Sequence, residues 1–155
     1  MIHATRIHDI SAGHTVTGQV DKKGNPGPCS RIHGHNYRIY FTISPPLREL
    51  GDAGLNPIGM VMDFGEIKDK LCSWLDEQWD HKFLIWEADS RRDKLTLIDE
   101  TVVSLPFNPT AENLAIHLID VVGPAVFKDA GVVLSSCTVE ETRKCSATCE
   151  LGIYH

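Results

Sequence analysis

Two histidines stand two residues apart in the sequence, at His33 and His35, inside the stretch CSRIHGHNYRIYFTI. On a β-strand, side chains at this spacing point to the same face of the sheet. Two imidazoles on one face supply half of the four ligands that a zinc ion takes. An HxH pair alone is a weak signal, because many such pairs lie on surfaces and bind no metal. A metal site here requires further ligands from elsewhere in the chain.

Two residues are candidates for the remaining ligands. His14 closely follows the end of the first predicted strand, which can lie beside the strand that carries the pair. Three histidines with an open fourth position are typical of a catalytic zinc site, whereas Cys29 as a fourth ligand would close the site and make it structural. Spacing alone leaves both arrangements open.

The composition limits the class of protein. The chain has 155 residues, 42% of them apolar and 23% charged, which predicts one globular domain over residues 1–155. A net charge of −6 argues against a nucleic-acid-binding protein, which would carry a basic surface. No apolar run approaches the roughly 18 residues of a membrane span, and no secretory signal is recognisable at the N-terminus. The five scattered cysteines do not resemble a disulfide framework, so we predict a cytoplasmic protein.

The order of the predicted elements indicates an α+β fold. Strands are predicted at residues 2–12, 35–44, 60–62, 132–141 and 146–154. A first helix is predicted over residues 63–80, capped by Asp63, and a second one begins at 109–112, with Thr110 as its N-cap. For residues 82–106 we predict irregular structure. Because strands and helices do not alternate regularly, we predict an antiparallel sheet.

Six short motifs occur in one order along the chain: ISAGH, CSRIHGHNY, MDFGEIK, WDHKFL, PTAENLA and VEET. Together they span about residues 10–142, and the chain in this respect resembles the 6-pyruvoyl-tetrahydropterin synthase / 6-carboxy-tetrahydropterin synthase family. The resemblance implies the tunnelling fold (T-fold), with an antiparallel four-stranded sheet, two helices on one face and a barrel closed between subunits. It also implies a homo-oligomer built of trimers stacked as hexamers.

The resemblance further implies the roles of the candidate residues at the metal. His14, His33 and His35 match the zinc ligands of the family, so the implied cofactor is Zn²⁺. Cys29 matches a catalytic acid/base that is not a ligand. The first motif departs from the family pattern, since Ala12 and Gly13 stand where two alanines usually precede the histidine.

The remaining implied roles concern proton transfer and substrate binding. Asp80 and His81 match a proton-relay pair, and Glu141 matches the carboxylate that holds the pterin ring. One carboxylate can accept hydrogen bonds from the pterin amino group and the neighbouring ring NH together. Thr110 is a further candidate for the pocket. The carboxylate that orients His81 stays open between Asp80 of the same chain, Asp80 of a neighbouring subunit, and Glu141.

The implied substrate is 7,8-dihydroneopterin triphosphate. The CxxxHGH spacing resembles the carboxy enzymes of queuosine and related 7-deazaguanine synthesis, which would release acetaldehyde and triphosphate and leave 6-carboxy-5,6,7,8-tetrahydropterin. The alternatives are a pyruvoyl-type synthase, which eliminates triphosphate without breaking a carbon–carbon bond, and a non-catalytic binding module stabilised by zinc. Lys22, Lys23 and Arg31 are named as candidate triphosphate contacts.

Overall fold

The computed structural model describes residues 2–46 and 52–152 of the chain. Over these residues, six strands form one sheet. The strands are β1 (Ala4–His14), β2 (His33–Ser44), β3 (Phe83–Trp86), β4 (Val103–Leu105), β5 (Val133–Thr142) and β6 (Cys145–Glu150). Their order across the sheet is β4-β3-β1-β2-β5-β6.

The sheet is mixed and has six strands, so the predicted antiparallel four-stranded sheet corresponds to only part of it. Strands β1, β2, β5 and β6 pair antiparallel, whereas β3 runs parallel to β1 and β4 runs parallel to β3. The missed strands are only four and three residues long, too short to show the alternation that marks a strand. They form because Leu84 and Ile85 are fully buried and continue the sheet beside the end of β1.

Two long helices were predicted and are confirmed. Helix α1 comprises Phe64–Ile67, the π-helical turn Lys68–Cys72 and Ser73–Gln78, and helix α3 comprises Ala111–His117, the π-helical turn Leu118–Val122 and Gly123–Val126. The predicted caps are also found, since Asp63 accepts from the Gly65 and Glu66 amides and Thr110 accepts from the Asn113 amide. A short helix between them, α2 (Arg92–Ile98), was not predicted, since irregular structure was expected over residues 82–106.

One face of the sheet is buried under α1 and α3. Along β2 the side chains of Tyr37, Ile39 and Phe41 are buried, while Arg38 between them is exposed, which is the alternation of a strand with one covered face. The helices contribute one apolar stripe each to the same core cluster: Ile67, Leu71, Leu75 and Trp79 from the first, and Leu114, Leu118, Ile119 and Val122 from the last. Burial of each large apolar side chain stabilises the fold by about 1.5–3 kcal/mol.

The other fold predictions had mixed outcomes. The α+β class is confirmed. Residues 60–62 form no strand, although Met62 is buried in the core. The last predicted strand, 146–154, extends over Cys145–Glu150, and residues 153–155 lie outside the described part of the chain. Among the described residues, no helix is long and apolar enough to cross a membrane. The oligomeric barrel stays a prediction.

Candidate active site

Three histidines converge at one end of the covered sheet face. Strands β1 and β2 pair so that His14 lies opposite His33 and Ala12 lies opposite His35. Residues directly opposite in an antiparallel pair project to the same side, and so do residues two apart. One nitrogen of each imidazole lies within 4.8 Å of the others, and this is a group that can hold a metal ion.

Backbone carbonyls orient two of the rings. His14 Nδ1 donates to Pro109 O at 2.7 Å, and His33 Nδ1 donates to Arg31 O at 2.7 Å. Because a neutral imidazole carries one proton, each Nε2 is left as an unprotonated lone pair. The two Nε2 atoms face each other at 3.0 Å. Two ligands of a tetrahedral zinc ion, with Zn–N distances of about 2.0–2.1 Å, lie about 3.3 Å apart.

The electrostatics of the group fit a cation between the rings. Burial lowers the pKa of His14 to about 4, opposed by the bond to Pro109 O and reinforced by His33 and His35. Burial also lowers the pKa of His35, while Glu141 raises it. Burial therefore favours the neutral form of His14 and His35. With the Nδ1 protons of His14 and His33 directed at carbonyls, the two Nε2 lone pairs face each other and repel unless a cation lies between them.

The third ring, His35, offers a buried nitrogen that has no hydrogen-bond partner among the residues the structure describes. Its Nε2 lies 3.3 Å from Glu141 Oε1, but the two groups are not aligned for a hydrogen bond. A buried polar atom left unpaired costs about 1–3 kcal/mol. A metal ion coordinated by this nitrogen would remove that cost, so the donor set of three imidazoles fits Zn²⁺.

Two glycines let β1 and β2 approach closely beside the histidines. Gly13 and Gly34 face each other across the strand pair. A Cβ added to Gly34 would lie 2.9 Å from the carbonyl oxygen of Ala12, closer than such atoms pack. Because the obstacle is backbone, the strands must separate to admit a side chain.

We expect Gly34→Ala to weaken zinc binding as well as the fold. The new methyl group pushes β2 away from β1 and moves His33 and His35 relative to His14. Overpacking of this kind costs about 1–3 kcal/mol in free energy of unfolding. Urea unfolding and zinc titration of the metal-free protein measure the two effects, with Gly24→Ala as control, since open space surrounds Gly24 although its φ of +80° adds some strain. Unchanged zinc affinity in Gly34→Ala would show that the strand spacing does not set the ligand geometry.

Cys29 lies in the loop that connects β1 to β2. It belongs to the 3-10 turn Pro28–Ser30, and its carbonyl accepts a hydrogen bond from Val16 N at 2.7 Å. Its thiol is half-buried and lines a cavity of about 230 Å³, whose walls include Thr110 and Glu141. Among the described residues, the group able to hold a metal contains the three histidines and does not include Cys29.

Asp80 and His81 form a contact within one chain. His81 Nδ1 lies 2.9 Å from Asp80 Oδ2, and Asp80 Oδ1 accepts from Ser11 N at 2.8 Å. The His81 amide donates to Ser11 O at 2.7 Å, and its backbone has a φ of 56°, which is uncommon for a residue other than glycine. Among the carboxylates left open by the sequence, Asp80 of the same chain is thus in contact with His81.

Glu141 lies at an irregularity of β5. The pairing of β5 with β6 shifts register between Glu140 and Thr142, so Glu141 is displaced from the regular ladder. A bulge of this kind re-aims a side chain. Glu141 lines the cavity that contains Cys29 and also a cleft of about 830 Å³ that contains His35, Asp80 and His81. Glu141 therefore lines both the cavity of the predicted proton carrier Cys29 and the cleft that contains His35 and the Asp80-His81 pair.

The hydroxyl of Thr110 has two functions available to it. It accepts from Asn113 N at 3.2 Å as the cap of α3, and it lines the Cys29 cavity. A hydroxyl that accepts one hydrogen bond can still donate its proton. Thr110 is thus able to contact a ligand in the cavity.

The basic residues near the clefts differ from those named from the sequence. Lys22, Lys23 and Arg31 are exposed in the loop that carries Cys29. Instead, Arg38 and Arg143 line the 830 Å³ cleft. Arg38 is paired with Asp9 at 2.8 Å. Sequence reasoning missed Arg143, although it directly follows the Glu141-Thr142 motif.

An ion pair between the buried Asp89 and the partly exposed Arg91 supports the loop, and sequence reasoning missed it as well. Asp89 Oδ2 accepts from Arg91 Nη2 at 2.7 Å and from the Thr17 hydroxyl at 2.6 Å. The Asn108 side chain accepts a hydrogen bond from Thr17 N and donates one to Thr17 O. No local sequence signal marks these residues, because they meet only when residues 89–91 and 108 fold over the loop.

The fold and the three-histidine group define an α+β protein with a candidate metal centre at the end of its sheet. A family model described as 6-pyruvoyl tetrahydropterin synthase matches residues 3–151. The chain therefore belongs to the 6-pyruvoyl tetrahydropterin synthase family, which confirms the resemblance seen in the motifs.

Similar proteins of known sequence agree with this membership. The chain is 33% identical over 147 residues to a protein of Rickettsia typhi named 6-carboxy-5,6,7,8-tetrahydropterin synthase, covering 94% of this chain and 97% of that protein. It is 32% identical over 136 residues to a Halobacterium salinarum protein named as a probable 6-carboxy-5,6,7,8-tetrahydropterin synthase, covering 86% and 76%.

Solved structures share the fold. A protein of Wolinella succinogenes superposes with a TM-score of 0.77 at 22% identity, covering 96% of this chain and 97% of that one. The 6-pyruvoyl tetrahydropterin synthase of Caenorhabditis elegans superposes with a TM-score of 0.66 at 24% identity, covering 97% and 96%. At these identities the likeness shows the fold, and it agrees with the predicted T-fold.

Proposed function

We propose that the protein is a zinc-dependent lyase that converts 7,8-dihydroneopterin triphosphate and one water molecule into 6-carboxy-5,6,7,8-tetrahydropterin, acetaldehyde and triphosphate. The observation that carries the proposal is the pair of Nε2 lone pairs of His14 and His33 facing each other at 3.0 Å, with both Nδ1 atoms held by carbonyls. The relatives named 6-carboxy-5,6,7,8-tetrahydropterin synthase support this product. Zn²⁺ bound by His14, His33 and His35 would polarise the side-chain oxygens of the substrate and stabilise negative charge that develops on them.

Cys29 is the proposed proton carrier. A free thiol has a pKa of about 8.5, and the thiolate is the form that accepts a proton. Cys29 lines a cavity shared with Glu141, so a substrate held there would lie next to this residue. In this proposal Cys29 takes a proton from the substrate side chain and returns it after rearrangement.

His81 is proposed to move the proton onward. Its Nδ1 contacts Asp80, which leaves Nε2 as the exchanging nitrogen. Its side chain is 82% exposed and lies at the rim of the large cleft, where it can exchange protons with substrate or water. Asp80 fixes the ring because its other oxygen is bonded to the backbone of β1.

Glu141 and Thr110 are proposed to bind the pterin. The Glu141 carboxylate can accept from the pterin amino group and ring NH at once, a two-point, charge-assisted contact. The free proton of the Thr110 hydroxyl can donate to a ring acceptor. The triphosphate requires positive charge, and Arg143, which lines the adjoining cleft, is proposed to supply it.

Two alternatives stay in view. The family description names a 6-pyruvoyl tetrahydropterin synthase, which favours triphosphate elimination without carbon–carbon cleavage as the second candidate activity. A non-catalytic module in which Cys29 closes the zinc site is the candidate of another class. The proposed enzyme is expected to be a cytoplasmic homo-oligomer, a hexamer built of trimers, without a nucleic-acid or membrane partner.

Product analysis tests the proposal. Zinc-loaded protein is incubated with 7,8-dihydroneopterin triphosphate, and the products are identified by mass spectrometry. We expect 6-carboxy-5,6,7,8-tetrahydropterin, acetaldehyde and triphosphate, and no conversion by chelator-treated protein. Triphosphate release without acetaldehyde would assign the pyruvoyl-type reaction. No turnover by protein with one bound zinc per chain would favour the non-catalytic module.

A further inference from the structure

The loop between β1 and β2 is closed by hydrogen bonds at the residues next to the site. Thr15, which follows His14, donates from its hydroxyl to the carbonyl of Ser30 at 2.8 Å. Ser30 follows Cys29, whose own carbonyl accepts from Val16 N. These two bonds fix where the Cys29 turn lies against the end of β1.

The Arg91 side chain binds both Thr15 and Ser30, the two residues that close the loop. Arg91 donates from Nη1 to Ser30 O at 2.8 Å and from Nη2 to Thr15 Oγ1 at 2.8 Å. The planar guanidinium presents its donors in a fixed fork, so the two acceptors are held at a defined separation. A lysine ammonium is a single point on a flexible stem and does not reproduce that spacing.

A buried carboxylate fixes the guanidinium in turn. Arg91 Nε donates to Asp89 Oδ1 at 3.0 Å and Nη2 donates to Asp89 Oδ2 at 2.7 Å. The Asp89 side chain is only 2% exposed, and hydrogen bonds from Arg91 hold the pKa of its carboxyl well below the ordinary value. The Arg91 rotamer is therefore determined by a buried partner rather than by solvent.

We propose that Arg91 is a positioning residue that holds the Cys29 turn in register with the end of β1, and so fixes the Cys29 thiol relative to the three-histidine group. The proposal deepens the proposed function and rests on it, because Cys29 is the proton carrier there. The His14 ring is held by Pro109 O, and the backbones of His14, His33 and His35 are held by the pairing of β1 with β2. Only the ring of His33 is oriented by a residue next to the turn, Arg31, so loss of Arg91 should displace Cys29 more than the three histidines.

The test is Arg91→Ala, with and without added guanidinium at millimolar concentration. Displacement of a catalytic group by about 1 Å can cost 10²-fold in rate, so we expect kcat to fall about 10- to 100-fold with KM within about twofold. Zinc stoichiometry should stay at one per chain. Guanidinium should restore at least half of kcat, because the Arg91 side chain is 37% exposed and its site is open to solvent.

Arg92→Ala is the matched control. Arg92 neighbours Arg91 in sequence and pairs with Asp93 on the surface, so its removal deletes one arginine without touching the loop. We expect its kcat and KM to stay within about twofold of wild type, in line with the small effect of exposed ion pairs.

The kcat and zinc content of Arg91→Ala together support or overturn the positioning role. Arg91→Ala with kcat within twofold of wild type overturns it. Loss of zinc together with kcat also overturns it, because Arg91 would then support the metal ligands or the whole fold. If Arg91→Ala does not fold, Arg91→Lys decides: a folded, zinc-bound variant with about tenfold lower kcat supports the proposal, and full kcat contradicts it.

A substrate-independent measurement separates this proposal from the proposed function. The rate at which iodoacetamide alkylates Cys29, followed by peptide mass mapping, reports how the loop holds the half-buried thiol. We expect alkylation to be at least about fivefold faster in Arg91→Ala and to slow again with guanidinium. If wild type is inactive on the pterin triphosphate, the proposed function fails, and the alkylation rates alone support or overturn the positioning by Arg91.

Discussion

Replacing His33 with alanine is expected to empty the metal site and to lower kcat by at least about a thousandfold. Removing one of three imidazoles leaves two protein ligands, which are too few to hold zinc. In such reactions the metal stabilises developing charge by several kcal/mol. Each 1.4 kcal/mol of lost stabilisation lowers the rate about tenfold. His33 is partly exposed at the start of β2, so the fold should tolerate the change. Zinc content after dialysis and turnover of the pterin triphosphate measure the two effects.

The control for this variant is His8→Ala. His8 lies on β1 and contacts Asp76 of α1 at 2.7 Å, away from the metal group. We expect it to keep one zinc per chain and nearly full turnover. A His33→Ala protein that still binds one zinc with wild-type affinity would contradict the three-histidine centre.

Replacing Cys29 with alanine is expected to abolish turnover while zinc stays bound. A positioned general acid/base contributes about 10²–10⁴-fold to rate, so kcat should fall by that factor. The thiol lies outside the group of atoms able to hold the ion, so neither zinc affinity nor the urea unfolding midpoint should change appreciably. Zinc titration, unfolding and product analysis are run on the same preparation.

Cys149→Ala serves as the matched control, because Cys149 is a free cysteine on β6 outside the Cys29 cavity. It should leave turnover and zinc binding close to wild type. If Cys29→Ala instead loses zinc and unfolds at lower urea, Cys29 is the fourth ligand of a closed structural site, and the lyase proposal fails.

Local patterns in the sequence determined much of the fold. The alternation along β2 predicted a strand with one buried face, and the same period of two placed His33 and His35 on one side. The capping residues Asp63 and Thr110 marked where two helices begin, because capping is a local interaction between a side chain and the next turn. Motif order identified the family.

Strands β3 and β4 were decided by tertiary structure. Each is too short to carry a periodic signal, and each forms because a neighbouring strand offers free backbone groups and a buried face. The register shift that re-aims Glu141 has the same origin, since it depends on how β5 pairs with β6. Sequence reasoning therefore predicted the α+β class and missed the extent and direction of the sheet.

For the candidate site too, the sequence determined some features and the tertiary structure determined others. The sequence by itself determined which side chains are available, namely the three histidines, Cys29, the Asp80-His81 pair and Glu141. Only the tertiary structure decided that His14 meets His33, that Asp80 contacts His81 in the same chain, and that Arg91 bridges the loop of Cys29. These contacts join residues 19 to 76 positions apart or depend on a turn with positive φ, and such geometry follows from packing rather than from local residue preference.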